Sequence, residues 1–292
     1  FMWPQPFWQK LYEPLIRRAA GLGALSGQPN TDLYEKAFAF CDLLIIGAGP
    51  TGLMAALTAA RAGADVILAD EDSLMGGRLN GETHLVGDLP GAEWAAGVVA
   101  DLAAMPNVRL MSNTTITGAY DQGTYGALER LPCSLRTRPA DLPVECFWRI
   151  VAKRAVLAAG ALERGIAFAA NDRPGIMTAG AVRTYVNRWG VAPGQNVVVF
   201  GNNDDAHRTA HDLIAAGVKV TALVDSRPDA QAAGDFPVYT GATICDSSGR
   251  HGLRSVQVQN SDGSTNRLET DCLAVSGGWN PTVHMTCHMN GR

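Results

Sequence analysis

Apolar and small residues fall into two kinds of run along this chain. Short continuous runs mark buried strands, and longer runs with apolar positions at helical spacing mark helices. The first strand is predicted at 42–46, where LLII precedes Gly47. Residues 52–62 (GLMAALTAARA) predict a helix that Gly63 ends, and 65–69 (DVILA) predict the next strand. A strand, a helix and a strand in that order imply a parallel pair with a right-handed crossover. A further helix is predicted at 91–104 and a strand near 107–111. Residues 113–150 alternate and contain Gly118, Gly123 and Gly126, which suggests an antiparallel β insertion. Residues 154–158 (RAVLA) predict a buried strand returning to the first sheet just before Gly160. A helix at 178–189 leads to a second strand–helix–strand unit at 196–200, 204–216 and 218–224, with Gly217 between its last two elements. Short alternating strands fill 242–270, and 272–275 (CLAV) predict one more buried strand before Gly277-Gly278. The repeated unit amounts to an approximate internal duplication, and the fold class is α/β.

This pattern gives three regions. Residues 1–40 form an N-terminal extension and linker. Residues 41–165 with 271–292 form a dinucleotide-binding domain that carries 113–150 as an insertion. Residues 166–270 form a second, degenerate nucleotide-type domain inserted into the first. The extension is unlike the rest: Phe1, Trp3, Phe7, Trp8 and Tyr12 crowd among Pro4, Pro6 and Pro14. Prolines at that density predict no regular element there. The aromatics need a surface, either this chain's own core or a partner subunit. GLGALSGQPNT at 21–31 reads as a linker.

Composition narrows the function classes. The net charge of −4 argues against nucleic acid as a partner. No apolar run reaches the length of a membrane span, and the start does not resemble a signal peptide. Six cysteines are scattered without CxxC spacing, so reduced thiols in a cytoplasmic protein are expected. The chain begins at Phe1 and stops soon after a strand, which suggests a piece of a longer protein.

The chemistry concentrates at the first strand–helix turn, IIGAGPTGLMAAL. Gly47 permits the sharp exit from the strand, Gly49 lets backbone approach a pyrophosphate, and Gly52 lets helix and strand pack closely. Backbone around Ala48, Pro50 and Thr51 then meets the phosphates at the helix's positive end. Asp70 ends the second strand, where a carboxylate can accept ribose hydroxyl hydrogen bonds, and Glu71 can share that role. An acid there disfavours a 2′-phosphate, so NAD or FAD is expected over NADP. Gly77 and Arg78 follow: a glycine for close approach and a guanidinium for a phosphate or ribose oxygen, or else an ordinary surface arginine. Gly160 and Gly278 end buried strands that point to the same place, and Thr115 and Ile116 complete the expected contact set.

The second turn, GNNDDA at 201–206, has lost its central glycine to Asn203 and carries Asp204 and Asp205 at the head of its helix. These side chains can cap the helix and would repel a pyrophosphate, so a structural role is expected, with nucleotide binding through a rearranged loop as the rival. A reductase passing hydride from NADPH to FAD needs both turns, so an autonomous reductase is disfavoured. His207 with His211, and His284 with His288, have helical spacing but no third ligand, so solvated or partner-facing histidines are expected rather than zinc. No catalytic acid, base or nucleophile set stands out.

FMWPQPFWQKLYEPLIRRAAGL, IIGAGPTGLMAAL, ILADEDSLMGGRL, VLAAGALER, NDRPGIMTAGAVRTYVNR and SGGWNPTVH together resemble the two-dinucleotide-domain flavoproteins, and within them the alpha subunits of heterotetrameric sarcosine oxidases. The resemblance spans essentially the whole chain and departs at Gly165, where a proline is more usual. It implies an FAD/NAD(P)-binding, Rossmann-like three-layer fold in an internal portion of a longer subunit. It implies NAD at the first turn, with FAD as the alternative, and FAD and FMN on or next to a partner subunit. The implied partners are beta, gamma and delta subunits, with folate bound through a C-terminal domain outside this sequence. The oxidative demethylation of sarcosine would then lie on the flavin-bearing partner, and this chain alone would be inactive. A self-contained FAD enzyme acting on a secondary amine, and a nucleotide-plugged scaffold of a dye-linked amino-acid dehydrogenase, are the competing readings.

Overall fold

The computed structural model describes residues 4–23, 27–131, 142–231 and 234–287. Phe1, Trp3, Cys133, His288 and the last residues lie outside them. Residues 1–33 form one compact unit and residues 34–292 another.

In the first unit the proline-rich start is helical, against the expectation of no regular element. Helix α1 (Gln5–Phe7), a π-helical turn (Trp8–Tyr12) and helix α2 (Glu13–Ala19) follow without a break. Each proline sits where its missing N–H costs little. Pro4 is the N-cap of α1, and Pro6 and Pro14 lie in the first turns of their helices. The wide turn absorbs the register change, since the Glu13 N–H donates to the Trp8 carbonyl five residues back.

The second unit contains two similar sandwiches. The first is built on a six-stranded sheet. Strand β1 (Tyr34–Ile46) leads into helix α3 (Pro50–Arg61) and strand β2 (Val66–Ala69). A 3-10 turn (Gly77–Gly81), the small hairpin of β3 (Leu85–Val86) and β4 (Leu89–Pro90), and helix α4 (Gly91–Ala103) follow. Strands β5 (Val108–Met111), β6 (Thr114–Tyr120), β7 (Thr124–Arg130) and β8 (Glu145–Leu157) complete the sheet in the order β5-β2-β1-β8-β7-β6. β5, β2, β1 and β8 are parallel, and β6, β7 and β8 form the expected antiparallel insertion. β1 starts at Tyr34, inside the segment read as linker up to residue 40. The cause is a clean alternation: Ala39 and Cys41 are buried while Phe38 and Phe40 are exposed, and this outer half pairs with β8. One sheet face packs on α3 and α4 through Ile45, Leu53, Ala56, Leu68, Val98 and Leu102. The other packs Leu44, Ile46, Ile67 and Ala69 against Tyr125, Ala127 and Ile150 of the antiparallel strands.

Short strand β9 (Ala161–Glu163) leads to the second sandwich. Its members are β10 (Ile176–Thr178), helix α5 (Ala179–Trp189), β11 (Asn196–Gly201), helix α6 (Asp204–Ala215), β12 (Lys219–Asp225) and β13 (Val238–Thr240). An antiparallel sheet of β14 (Thr243–Ser248), β15 (Ser255–Gln259) and β16 (Thr265–Glu269) covers the face opposite α5 and α6. The layering of helices, parallel sheet and antiparallel strands therefore occurs twice, which is the physical content of the duplication.

Strand β17 (Cys272–Ser276) corrects the expected division. Residues 271–292 were assigned to the first domain, but β17 pairs in parallel with β10 and β11, between them in the second sheet. All five of its residues are buried, so its composition suits either sheet, and only pairing decides. The chain then turns back. Strand β18 (Trp279–Pro281) pairs with β9, and in helix α7 (His284–Cys287) Met285 packs on the first sandwich's core.

Candidate functional site

The first turn has the geometry its glycines require. Gly47 has φ of +100°, and a Cβ there would lie 2.5 Å from the Ala158 carbonyl oxygen at the end of β8. A Cβ on Gly52 would lie 1.9 Å from the Gly47 carbonyl oxygen, so only glycine lets α3 sit this close to β1. Gly49 differs: nothing stands within 4 Å of where its Cβ would be. It is the N-cap of α3, and no side chain caps that end. Pro50 has no N–H to place there, which leaves the N–H groups of Thr51 and Gly52 as the helix's free donors. An open face, free backbone donors and a helix positive end fit a pyrophosphate.

Around this cradle the structure gathers most of the expected residues. Gly77, at φ of +55°, packs directly on the turn, since its Cβ would lie 2.9 Å from the Gly49 Cα. The Gly76 N–H donates to the Ala48 carbonyl at 2.9 Å. Asp70 accepts from the Ala48 N–H at 2.5 Å and from the Asp72 N–H at 2.8 Å. Each of its oxygens keeps a lone pair for a ligand. The Thr114 N–H donates to the Asp70 carbonyl, which brings the start of β6 beside the acid. Thr115 is exposed next to it, and Ile116 packs toward the second face of the first sheet. Glu71 is exposed and away from these bonds. Gly160, at φ of +66°, follows Ala158, and its carbonyl accepts from the Thr282 N–H. Gly278 accepts from the Arg164 N–H at 2.9 Å, one step beyond the turn.

Arg78 is an exposed arginine whose guanidinium is already engaged by this chain's own groups. Its Nη2 lies 2.6 Å from Glu82 Oε1 and 2.8 Å from Asp205 Oδ2, and its guanidinium stacks 3.8 Å over the Trp279 ring. The aspartate belongs to the second turn. There Asn203 accepts from the Asp205 N–H at 3.0 Å and donates to the Ser276 carbonyl at 3.0 Å. Asp205 also faces Arg183 at 3.5 Å and Arg208 at 3.4 Å. Although burial pushes its carboxyl up, Arg78 and the other cations bring it below the ordinary carboxylate range. Asp204 pairs with Arg227 at 2.8 Å. Asp225, fully buried at the end of β12, takes Arg227 at 2.8 Å and His207 at 2.6 Å. Burial opposes its charge, but the bonds from Arg227 and His207 hold it low.

Three groups escaped the sequence reading. Asp72 is forked by Arg188 at 2.6 and 2.8 Å, which lowers its pKa to about 2. Arg183 is 2% exposed and bonds Asp212 at 2.9 Å. Glu163 caps α5 by accepting the Gly180 N–H at 2.6 Å, while burial pushes its carboxyl up. Asp225, just past the strand expected at 218–224, holds in the second strand–helix–strand repeat the place that Asp70 holds in the first. His211 meets the Phe236 ring edge-on, and among the described residues no cluster of His, Cys, Asp or Glu could hold a metal ion. Burial raises Cys41 to about 11 and Cys272 to about 12, so both thiols stay protonated.

The site's first strand, helix and second strand match the model of the FAD dependent oxidoreductase family over residues 42–104. A ferredoxin–NADP reductase of Acidiphilium cryptum (strain JF-5) is 30% identical over 80% of this chain and 70% of its own length. The chain belongs to the FAD-dependent oxidoreductase family. Within that family it is similar over its whole length to the sarcosine oxidase alpha subunit of Rhizobium meliloti (strain 1021), at 49% identity. It spans 30% of the length of that relative. The L-proline dehydrogenase of P. horikoshii shares the fold, with a TM-score of 0.68 at 20% identity over 91% of this chain and 47% of that one. The Rossmann-like, mixed α/β architecture is thus found both in the sheet order and in the solved relative. No helix among the described residues is long and apolar enough to cross a membrane.

Proposed function

We propose that this chain is the nucleotide-holding portion of a sarcosine oxidase-type alpha subunit, with NAD at the first turn. The observation that carries this reading is the contrast between the two turns. The first presents an open glycine, free helix donors and Asp70. At the second, Asn203, Asp204, Asp205 and Asp225 fill the corresponding places, and the three aspartates are matched by this chain's own arginines. A pyrophosphate arriving there would meet three carboxylates, so one nucleotide per chain is expected.

Bound NAD supplies a ring that can accept hydride. The residues around it bind and orient: Gly47, Gly49 and Gly52 shape the cradle, Asp70 receives the ribose, and Gly77 closes over the turn. None of them is placed to move a proton, so substrate oxidation is assigned to a flavin-bearing partner subunit, and the isolated chain is inactive toward sarcosine. Beta, gamma and delta subunits, folate on a further domain, and a cytoplasmic setting belong to the same reading. The family match favours one second reading, FAD at the same turn. Calorimetric titration with NAD and NADP tests the proposal. NAD should bind once per chain and NADP at least tenfold more weakly, because Asp70 would face the 2′-phosphate. Equal affinities would remove Asp70 from the site.

A further inference from the structure

β1 leads into the nucleotide turn at one end and is open at the other. β2 pairs only with Leu43–Ile46, whereas β8 pairs with β1 from Tyr34 to Ile46. Among the described residues, Glu35–Cys41 therefore has a strand on one side alone. In a parallel sheet the backbone groups of alternate residues turn to each neighbour, so the side away from β8 presents a row of donors and acceptors that no strand takes. Such an edge is normally blunted by a proline, a bulge or charge. Glu35–Cys41 contains no proline, its pairing with β8 runs without a register shift, and Ala37–Cys41 is uncharged. On one face Ala39 and Cys41 are buried. On the other, Phe38 is 62% and Phe40 75% exposed, and Phe147, in register with Lys36, is exposed beside them. Parallel sheets are ordinarily covered on both faces, so exposed aromatics along an open edge point to a missing neighbour.

The charges on this edge define what the neighbour carries. Lys36 is exposed, and the Arg149 guanidinium lies 5.5 Å over the Phe38 ring. Asp42 and Glu145, at the two ends of this stretch, are already taken by Lys153 and Arg130. No carboxylate of the described residues pairs with Lys36 or Arg149. Two unmatched cations among aromatics are complemented by an acid set between apolar residues, the kind of cross-strand pairing that favours strand addition. This chain spans 30% of the length of its sarcosine oxidase relative. In a subunit of that length a segment tethered to the same polypeptide reaches the edge at high effective concentration. We propose that Glu35–Cys41 is a docking edge for an extended segment from another part of the same subunit. That segment adds to β1 as a strand, with an aspartate or glutamate beside Lys36 and Arg149 and apolar side chains beside Phe38 and Phe40. The inference rests on the reading of this chain as a portion of a longer alpha subunit.

The test is amide hydrogen exchange of the full-length subunit, alone and assembled with its partners. Within residues 35–41, the amides that face away from β8 should exchange about tenfold or more slowly than unpaired backbone. The protection should be equal in the two samples and independent of protein concentration. Lys36→Glu, made in the full-length subunit, should restore fast exchange at these amides, and Lys36→Arg should keep them protected. Nucleotide affinity should be unchanged in both variants, because Lys36 lies at the opposite end of β1 from the nucleotide turn. Protection found only in the assembly would assign the edge to a partner subunit. Protection that grows with concentration would assign it to a second copy of this chain, and fast exchange in both samples would leave it bare. Each of these results overturns the inference, as does protection that Lys36→Glu leaves intact, and all of them leave the subunit reading standing. A native polypeptide no longer than this chain overturns that reading and the inference together.

Discussion

Arg78 Nη2 lies 2.8 Å from Asp205 Oδ2, so the loop that covers the first turn is pinned to the helix head of the second. The fork of Arg188 on Asp72 makes the reciprocal tie, from α5 to the loop after Asp70. A double-mutant cycle with Arg78→Ala and Asp205→Asn should give a coupling of about 1 kcal/mol in unfolding free energy, since Arg78 is partly exposed. Additive single effects would mean that the pair does not join the sandwiches energetically.

Two glycines of the same turn should fail in different ways. Gly49→Ala has room for its Cβ and ordinary backbone angles, so stability should change by about 0.5 kcal/mol or less. Nucleotide affinity should nevertheless fall, because the methyl group occupies the face a phosphate needs. Gly52→Ala places a Cβ against the Gly47 carbonyl and should cost about 3 kcal/mol or prevent folding. Thermal melts beside ligand titrations separate the two. Equal destabilisation would mean that Gly49 is needed for packing alone.

The Asp72–Arg188 fork sets an acid limb of stability. The folded carboxyl is depressed to about 2, so acid protonates the unfolded chain first. Its contribution is complete above the unfolded pKa of about 4 and is lost as pH falls toward about 2. Asp72→Asn should flatten the stability curve in that window and leave its shape between pH 5 and 8 unchanged. An identical acid limb in the variant would assign the effect to other carboxylates.

Local chemistry was legible in the sequence where one residue type has one use. Gly47 and Gly52 announced the cradle because a Cβ at either would meet backbone, Gly49 because it leaves that face open, and Asn203 with its neighbouring aspartates announced a different second turn. Pairing was not legible. Cys272–Ser276 is apolar throughout and could enter either sheet, and the alternation of Tyr34–Cys41 was hidden by the linker before it. The helical run from Gln5 to Ala19 was not legible because proline density argues against a helix, while a proline at an N-cap or in a first turn permits one. Arg183, Asp72 and Glu163 act only through partners far away in sequence, and no spacing rule connects them.

The most direct measurement is to record the absorbance spectrum of the purified protein, release its bound ligand, and identify that ligand by mass with its stoichiometry. Colourless protein releasing one NAD per chain is the expected result. It would leave the redox chemistry to a partner subunit. Yellow protein releasing FAD, or two nucleotides per chain, would contradict a single NAD site at the first turn.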